Sequence, residues 1–257
     1  MQRLWLLSQL IIILASYAAC GGNSSEDFMY DACMAIGAKI FNGQVCNVET
    51  SPIAKIQVLS PKLTAGTCSG IVVGHNTILT AAHCLQDALL VTVSVDDISF
   101  EVDKIGTHQQ FQVDLDNKAL FFDIAIITTF NDLGANAIPI LASRNPAIGE
   151  EGIVSGYGKD NSNNSEFLLA AGNVTITDTT KNHIFSSPKN GGANPCPGDS
   201  GGPLLLFYDG ELVVAGLVSS GTSSKGCGND DITLYTNLTN PLILEFIVDN
   251  VPDAAMM

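Results

Sequence analysis

Gly198-Asp199-Ser200-Gly201-Gly202-Pro203 stands near the end of the chain, with Thr80-Ala81-Ala82-His83-Cys84 far upstream and Asp123-Ile124-Ala125-Ile126-Ile127 between them. A serine framed by glycines is common by itself. A serine preceded by such a histidine and such an aspartate is more informative, because the three residue types form a chemical unit. A serine hydroxyl is a weak nucleophile at neutral pH and needs an adjacent base. A neutral imidazole takes the proton and later returns it to a leaving group. A buried carboxylate holds that imidazole in the correct tautomer and stabilises its cation. The candidate roles are therefore Ser200 as nucleophile, His83 as base and then acid, and Asp123 as orienter. Gly198 lets the backbone fold so that its N–H and that of Ser200 point at one spot, where they would stabilise a developing oxyanion.

The order His, Asp, Ser and the flanking residues resemble the trypsin/chymotrypsin family. The resemblance runs from about Ile40 to the C-terminus. It implies a serine endopeptidase working through an acyl-enzyme, with no cofactor and no metal. It also implies an all-β fold: two six-stranded antiparallel β-barrels packed together, with a C-terminal helix and the triad at their junction. His83 and Asp123 would come from the first barrel and Ser200 from the second.

The residue pattern points the same way. Short runs rich in Val, Ile, Leu and Thr recur between turn residues at 53–60, 67–73, 77–80, 89–95, 123–128, 152–156, 173–177, 203–208, 212–219 and 232–237, and all read as strands. Gly74-His75-Asn76 reads as a hairpin turn and 160–165 as a polar surface loop. A boundary between barrels is expected near Leu133–Gly149. Asn240 suits a helix N-cap and Pro241 the first helical position, so 242–249 reads as a helix. His75, His108 and His183 have no matching partners in the sequence and read as surface or turn residues.

The chain has 257 residues, 46% hydrophobic and 14% charged, with a formal net charge of −15. Such a chain can bury a real core. It carries no basic patch, so nucleic acid is not an expected partner. Residues 1–19 read as a signal peptide, with Arg3 before an apolar run too short for a comfortable membrane span. The Ala-Ala-Cys-Gly-Gly ending resembles a bacterial lipoprotein signal, which would put lipid on Cys20 and tether the protein to a membrane. Ordinary cleavage after Ala18 is the alternative. Residues 20–39 then form a propeptide or tether, and 40–257 the protease domain. A secreted or cell-envelope location follows, with an outer-membrane lipoprotein as its finer form.

Seven cysteines leave one odd. With Cys20 lipidated, six remain. The resemblance pairs Cys68 with Cys84 and Cys196 with Cys227, which leaves Cys33 with Cys46; the alternative leaves Cys46 without a partner. Such bridges suit an oxidising compartment and contribute roughly 2–4 kcal/mol each. Without a Cys-x-x-Cys pair or clustered histidines, a metal site is not expected.

Lys39-Ile40-Phe41-Asn42-Gly43 resembles the family's activation site. Cleavage after Lys39 would free an α-amino group on Ile40 to pair with Asp199 and order the oxyanion turn, which would be misformed beforehand. A buried charge is tolerable only when paired. Pocket positions carried over from the resemblance are Asn194 at the base, Ser219-Ser220-Gly221 along one wall and Thr233 where glycine usually opens the pocket. They imply a neutral, shallow pocket for small or medium uncharged side chains. Asp230 and Asp231 leave a basic preference as the alternative. If the pocket is neutral, the protein cannot readily cut after its own Lys39, and a separate protease must activate it. Tyr157 replaces a frequent tryptophan and Phe122 a usual asparagine, which suggests a divergent, bacterial member. The rival reading is a non-catalytic serine protease homologue that binds without cutting. An α/β-hydrolase esterase would need Gly-x-Ser-x-Gly and the order Ser, Asp, His, which this chain lacks.

Overall fold

The computed structural model describes residues 51–114, 119–159, 169–188, 194–221 and 231–257, with the backbone of two short strands before them. In chain order the strands are β1 (Ile40–Phe41), β2 (Gln44–Val45), β3 (Ile53–Leu59), β4 (Ala65–Gly74) and β5 (Thr77–Thr80). A four-residue helix, α1 (Ala82–Leu85), follows. Then come β6 (Leu90–Val95), β7 (Ile98–Phe100), β8 (Val102–Thr107), β9 (Gln112–Asp114), β10 (Ala119–Phe121) and β11 (Ala125–Thr129). The second half holds β12 (Glu151–Gly156), β13 (Ala170–Thr179), β14 (His183–Pro188), β15 (Pro203–Tyr208), β16 (Glu211–Gly221), β17 (Thr233–Asn237) and the helix α2 (Pro241–Asn250).

The all-β, two-barrel architecture with a C-terminal helix is present, with one difference. The second half closes: β12, β15, β16, β17, β14 and β13 follow one another, and β12 also pairs with β13. The first half is a curled seven-stranded sheet, β7-β6-β3-β4-β5-β11-β8, whose two end strands do not pair among the described residues. Its last strands explain why. In β8 the residues Asp103, Lys104 and Ile105 are exposed, and β7 is short and mostly exposed. Neither offers the buried face that barrel closure needs.

The described residues form three apolar clusters. One fills the curled sheet, around Ile56, Val72, Ile78 and Ile127. One fills the closed barrel, around Val174, Leu204, Val213 and Tyr235. The third lies between them and joins Ile53, Leu79 and Ile124 of the first half to Ile153, Leu205 and Leu217 of the second. This shared core fixes one half against the other, as a site drawn from both halves requires. The connecting segment from Leu133 is itself packed: Ile138 N–H donates to Val72 O, and Leu141 N–H to Val214 O.

At the hairpin between β4 and β5 the turn falls at 74–76 as the sequence suggests. Asp253, from the C-terminal segment, accepts hydrogen bonds there from the N–H and Nδ1 of His75. Asn240 caps α2 through its side chain, which accepts from Leu242 N–H, with Pro241 first in the helix. His108 and His183 are both buried, contrary to the surface reading. Gln110 N–H donates to His108 Nδ1, so Nε2 carries the proton and donates to Leu242 O. His183 Nε2 bonds Leu120 O at 2.8 Å. Backbone carbonyls from distant segments satisfy both rings, and the local sequence gives no sign of them. Asn237, in a glycosylation-type triplet, is fully buried and donates to Asn145 Oδ1 and Thr180 O.

Candidate active site

The β5–β11 register brings the first two candidates together. Thr80, the last residue of β5, pairs with Ala125, the first of β11. The chain just past one end therefore lies beside the chain just before the other. That is where α1 with His83 and the short link with Asp123 stand. Phe122, before Asp123, has φ 51°. Asparagine enters this left-handed region readily and phenylalanine does not, which gives a backbone reason for asparagine being usual there. Phe122 is held by stacking on His108, with ring centroids 4.8 Å apart. The twist turns Asp123 inward, and its side chain is 0% exposed.

Asp123 Oδ1 accepts from the backbone N–H of His83 at 2.8 Å, and Oδ2 lies 2.8 Å from His83 Nδ1. An ionised carboxylate only accepts, so Nδ1 carries the proton and Nε2 presents its lone pair. A third donor reaches the same oxygen: Ser219 Oγ donates to Oδ2 at 2.6 Å. Thr236 Oγ1 donates to the backbone carbonyl of Asp123. A buried carboxylate with three donors has the compensation that burial demands. Sequence reasoning set Ser219 only on a pocket wall and did not foresee that its hydroxyl engages the carboxylate. The signal that could have found it is its place beside the strand end that faces Asp123, which depends on tertiary structure.

Ser200 lies in the turn between Cys196 and β15. Its carbonyl accepts from Ser69 N–H at 2.8 Å. Cys84 Sγ lies 3.7 Å from that carbonyl and 3.8 Å from His83 Nε2, so one sulfur touches both residues. Among the described residues Ser200 Oγ has no hydrogen-bond partner, a looseness common in such sites before substrate arrives. Gly198 has φ +111°, and a Cβ there would stand 2.9 Å from Tyr157 O. Only glycine fits. Among the described residues neither the Gly198 N–H nor the Ser200 N–H has an acceptor. Two such donors flanking one turn can receive a negatively charged oxygen.

Cys68 and Cys84 are disulfide-bonded, tying β4 to α1. Their sulfurs lie close to His83, but sulfurs bonded to each other are not thiolate ligands for a metal. Cys196 is also disulfide-bonded, with its partner outside the described residues. Cys20, Cys33, Cys46, Cys227, Asp230 and Lys39 lie outside them too.

Asp199 is partly buried. Gly158 N–H donates to its Oδ1 at 2.7 Å and Cys196 N–H to its Oδ2 at 2.8 Å. Burial pushes this carboxyl up to about 6, against the pull of the two backbone donors. No cation pairs with it among the described residues. Ile40 stands in β1, paired with Ala170 of β13. Thr233 Oγ1 donates to Asn194 Oδ1, and Asn194 Nδ2 donates to Asp231 O, both at 2.9 Å. The buried hydroxyl of Ser220 has no partner among the described residues, and Gly221 is exposed at the end of β16.

A family model described as Trypsin matches residues 40–243. The chain is 28% identical to "Vitamin K-dependent protein C" of Rattus norvegicus, over 81% of this chain and 51% of that protein. It is 26% identical to "Chymotrypsin-like elastase family member 1" of the same species, over 85% and 90%, and 29% identical to "Tissue-type plasminogen activator" of Homo sapiens, over 72% and 39%. The chain thus spans about half the length of the protein C relative. These relatives are mammalian and lend nothing to the expectation of a bacterial member. A solved structure titled HL collagenase is similar with TM-score 0.63 and 22% identity, covering 78% of this chain and 93% of that one. At that identity the likeness is one of fold.

Proposed function

The chain belongs to the trypsin family, and from that premise we propose that it is a serine endopeptidase. The observation that carries the proposal is the buried Asp123 carboxylate, bonded to His83 Nδ1 at 2.8 Å beside the turn that holds Ser200. Ser200 Oγ attacks the carbonyl carbon of a peptide bond while its proton passes to His83 Nε2. Asp123 stays ionised and stabilises the imidazolium. The carbonyl oxygen becomes an anion and takes hydrogen bonds from the N–H groups of Gly198 and Ser200. As the C–N bond breaks, Nε2 gives the proton to the leaving amine and Ser200 keeps the acyl group. Water then attacks the ester along the same proton path, releasing the acid and restoring Ser200.

The protein is made as a zymogen in this reading. Cleavage between Lys39 and Ile40 by another protease frees an amine that pairs with Asp199. The support is a partly buried carboxyl, raised to about 6 by desolvation, with backbone donors and no cation among the described residues. The pocket takes small or medium uncharged side chains. The support is that Asn194 and Thr233 are uncharged and that both ends of the Asn194 amide are bonded, to Thr233 Oγ1 and to Asp231 O. The partners are protein or peptide substrates and the activating protease. Secretion is supported by the Cys68–Cys84 bridge, which suits an oxidising compartment. No helix among the described residues is long and apolar enough to cross a membrane. A lipid on Cys20, with Cys33 bonded to Cys46, would tether the cut enzyme.

The test is titration of the purified full chain with a serine-directed phosphonylating reagent, together with a peptide substrate panel. One label per chain and peptide cleavage are expected, and both are lost in Ser200→Ala. A wild-type chain that takes no label and cleaves nothing overturns the reading in favour of a binding homologue.

A further inference from the structure

Ser69 lies on β4, next to Cys68, and is fully buried. The reaction steps above do not use it, yet each of its polar atoms is engaged around the nucleophile's turn. Its N–H donates to Ser200 O at 2.8 Å. Its Oγ donates to Gly198 O at 2.9 Å and accepts the N–H of Tyr157 at 2.8 Å. Its carbonyl accepts from Thr80 Oγ1 at 2.8 Å. The direction of the hydroxyl proton follows from its neighbours. The Tyr157 N–H can only donate, so the one hydroxyl hydrogen goes to Gly198.

These contacts join two halves of the fold at the most sensitive point of the site. Ser69 belongs to the curled sheet, and Gly198 to Ser200 belong to the loop that enters the closed barrel. The Gly198 carbonyl shares a peptide plane with the Asp199 N–H, which donates to Cys196 O at 2.9 Å. That plane is therefore gripped at both edges, by Ser69 on one side and Cys196 on the other. The Ser200 carbonyl is gripped by the Ser69 N–H. Ser69 thus touches both residues whose free N–H groups would receive the oxyanion. The adjacent Cys68–Cys84 bridge fixes the same stretch of β4 to the helix carrying His83. Misplacement of such groups by about 1 Å costs on the order of a hundredfold in rate.

We propose that Ser69 is a positioning residue for peptide hydrolysis, whose hydroxyl bridges the Tyr157 N–H to the Gly198 carbonyl and so holds the oxyanion-binding turn against the sheet that carries His83. The inference rests on Ser200 being the nucleophile. The experiment compares the active full chain with Ser69→Ala and with Ser155→Ala, a control that removes a buried hydroxyl bonded to Ala170 O rather than to the turn. Ser69→Ala is expected to lower kcat by about ten- to a hundredfold while KM changes by less than about twofold. It should weaken binding of a peptidyl trifluoromethyl ketone, whose adduct places an oxyanion in the turn, by the same factor. Affinity for the corresponding peptide acid should hold. Ser155→Ala should lose comparable thermal stability and keep kcat. If Ser69→Ala does not fold, Ser69→Cys, which keeps the volume with a weaker donor, is measured in the same way. Wild-type kcat in the Ser69 variant, or an equal kcat loss in the Ser155 control, overturns the proposal. An inactive wild-type chain overturns instead the reading of Ser200.

Discussion

Ser219, on the closed barrel, donates its hydroxyl to Oδ2 of Asp123, on the curled sheet, at 2.6 Å. The same oxygen accepts from His83, so the carboxylate that orients the imidazole is itself oriented from the opposite half of the fold. A hydrogen bond to a charged group is worth roughly 1.5–3 kcal/mol. At about 1.4 kcal/mol per tenfold, Ser219→Ala should lower kcat by roughly ten- to a hundredfold and leave KM nearly unchanged. Steady-state kinetics on an amide substrate check this.

Asp123→Asn keeps the volume but turns a donor toward His83 Nδ1. The imidazole then takes the other tautomer, with its proton where Ser200 needs a base. The expected loss in kcat is on the order of ten-thousand-fold at neutral pH. The folded structure should persist, as circular dichroism would record.

Asp199 gives the uncut chain a specific response to pH. Its folded value is about 6, above the ordinary value of 3.8, so the folded state binds more protons than the unfolded state between those pH values. Stability from this group is greatest below about pH 4 and falls as pH rises through 6, by about 3 kcal/mol in all. Urea unfolding of uncut Ser200→Ala protein, with and without Asp199→Ala, isolates the effect: the Asp199 form should lose ground to its variant between pH 4 and 7. In protein cut after Lys39 the Ile40 amine would offset the carboxylate's charge, and the trend should reverse. A gap independent of pH in both forms would remove the support for activation.

The Cys68–Cys84 bridge spans a separation of 16 residues. A loop of that size is worth about 3 kcal/mol. Cys68→Ala/Cys84→Ala should lose about that much stability in urea under non-reducing conditions, and activity should fall with it because β4 and α1 are no longer tied.

On the proposed pocket, Thr233→Gly removes the side chain that would narrow it and the donor to Asn194 Oδ1. Cleavage after leucine or phenylalanine, relative to alanine, should rise by about tenfold or more in kcat/KM. No change in preference would mean that other walls set the depth.

The strands with strong Val, Ile and Leu content, such as 53–59 and 203–208, were legible because burial of one or both faces writes itself into composition. Those at 102–107, 112–114, 119–121 and 183–188 were not, since their residues are mixed or exposed and only pairing with a neighbour makes them strands. The three candidate residues were readable from their flanks. Ser69 and the carboxylate role of Ser219 were not, because a serine on a buried strand carries no mark of the partner it meets 129 or 96 positions away. The burial of His108 and His183 was missed for the same reason: their partners are backbone carbonyls, which every residue has.

The amino-acid order alone determined the chemistry available: a hydroxyl, an imidazole and a carboxylate in a set sequence, a glycine where a left-handed backbone is needed, and enough alternating apolar residues to form two β-layers around cores. Tertiary structure decided how these parts are held. Hydrogen bonds act over about 3 Å, whereas the residues they join lie far apart along the chain. Strand register and the core shared by the two halves therefore selected which buried serine faces Asp123 and which grips Gly198. They also left one sheet curled where the sequence suggested a closed barrel.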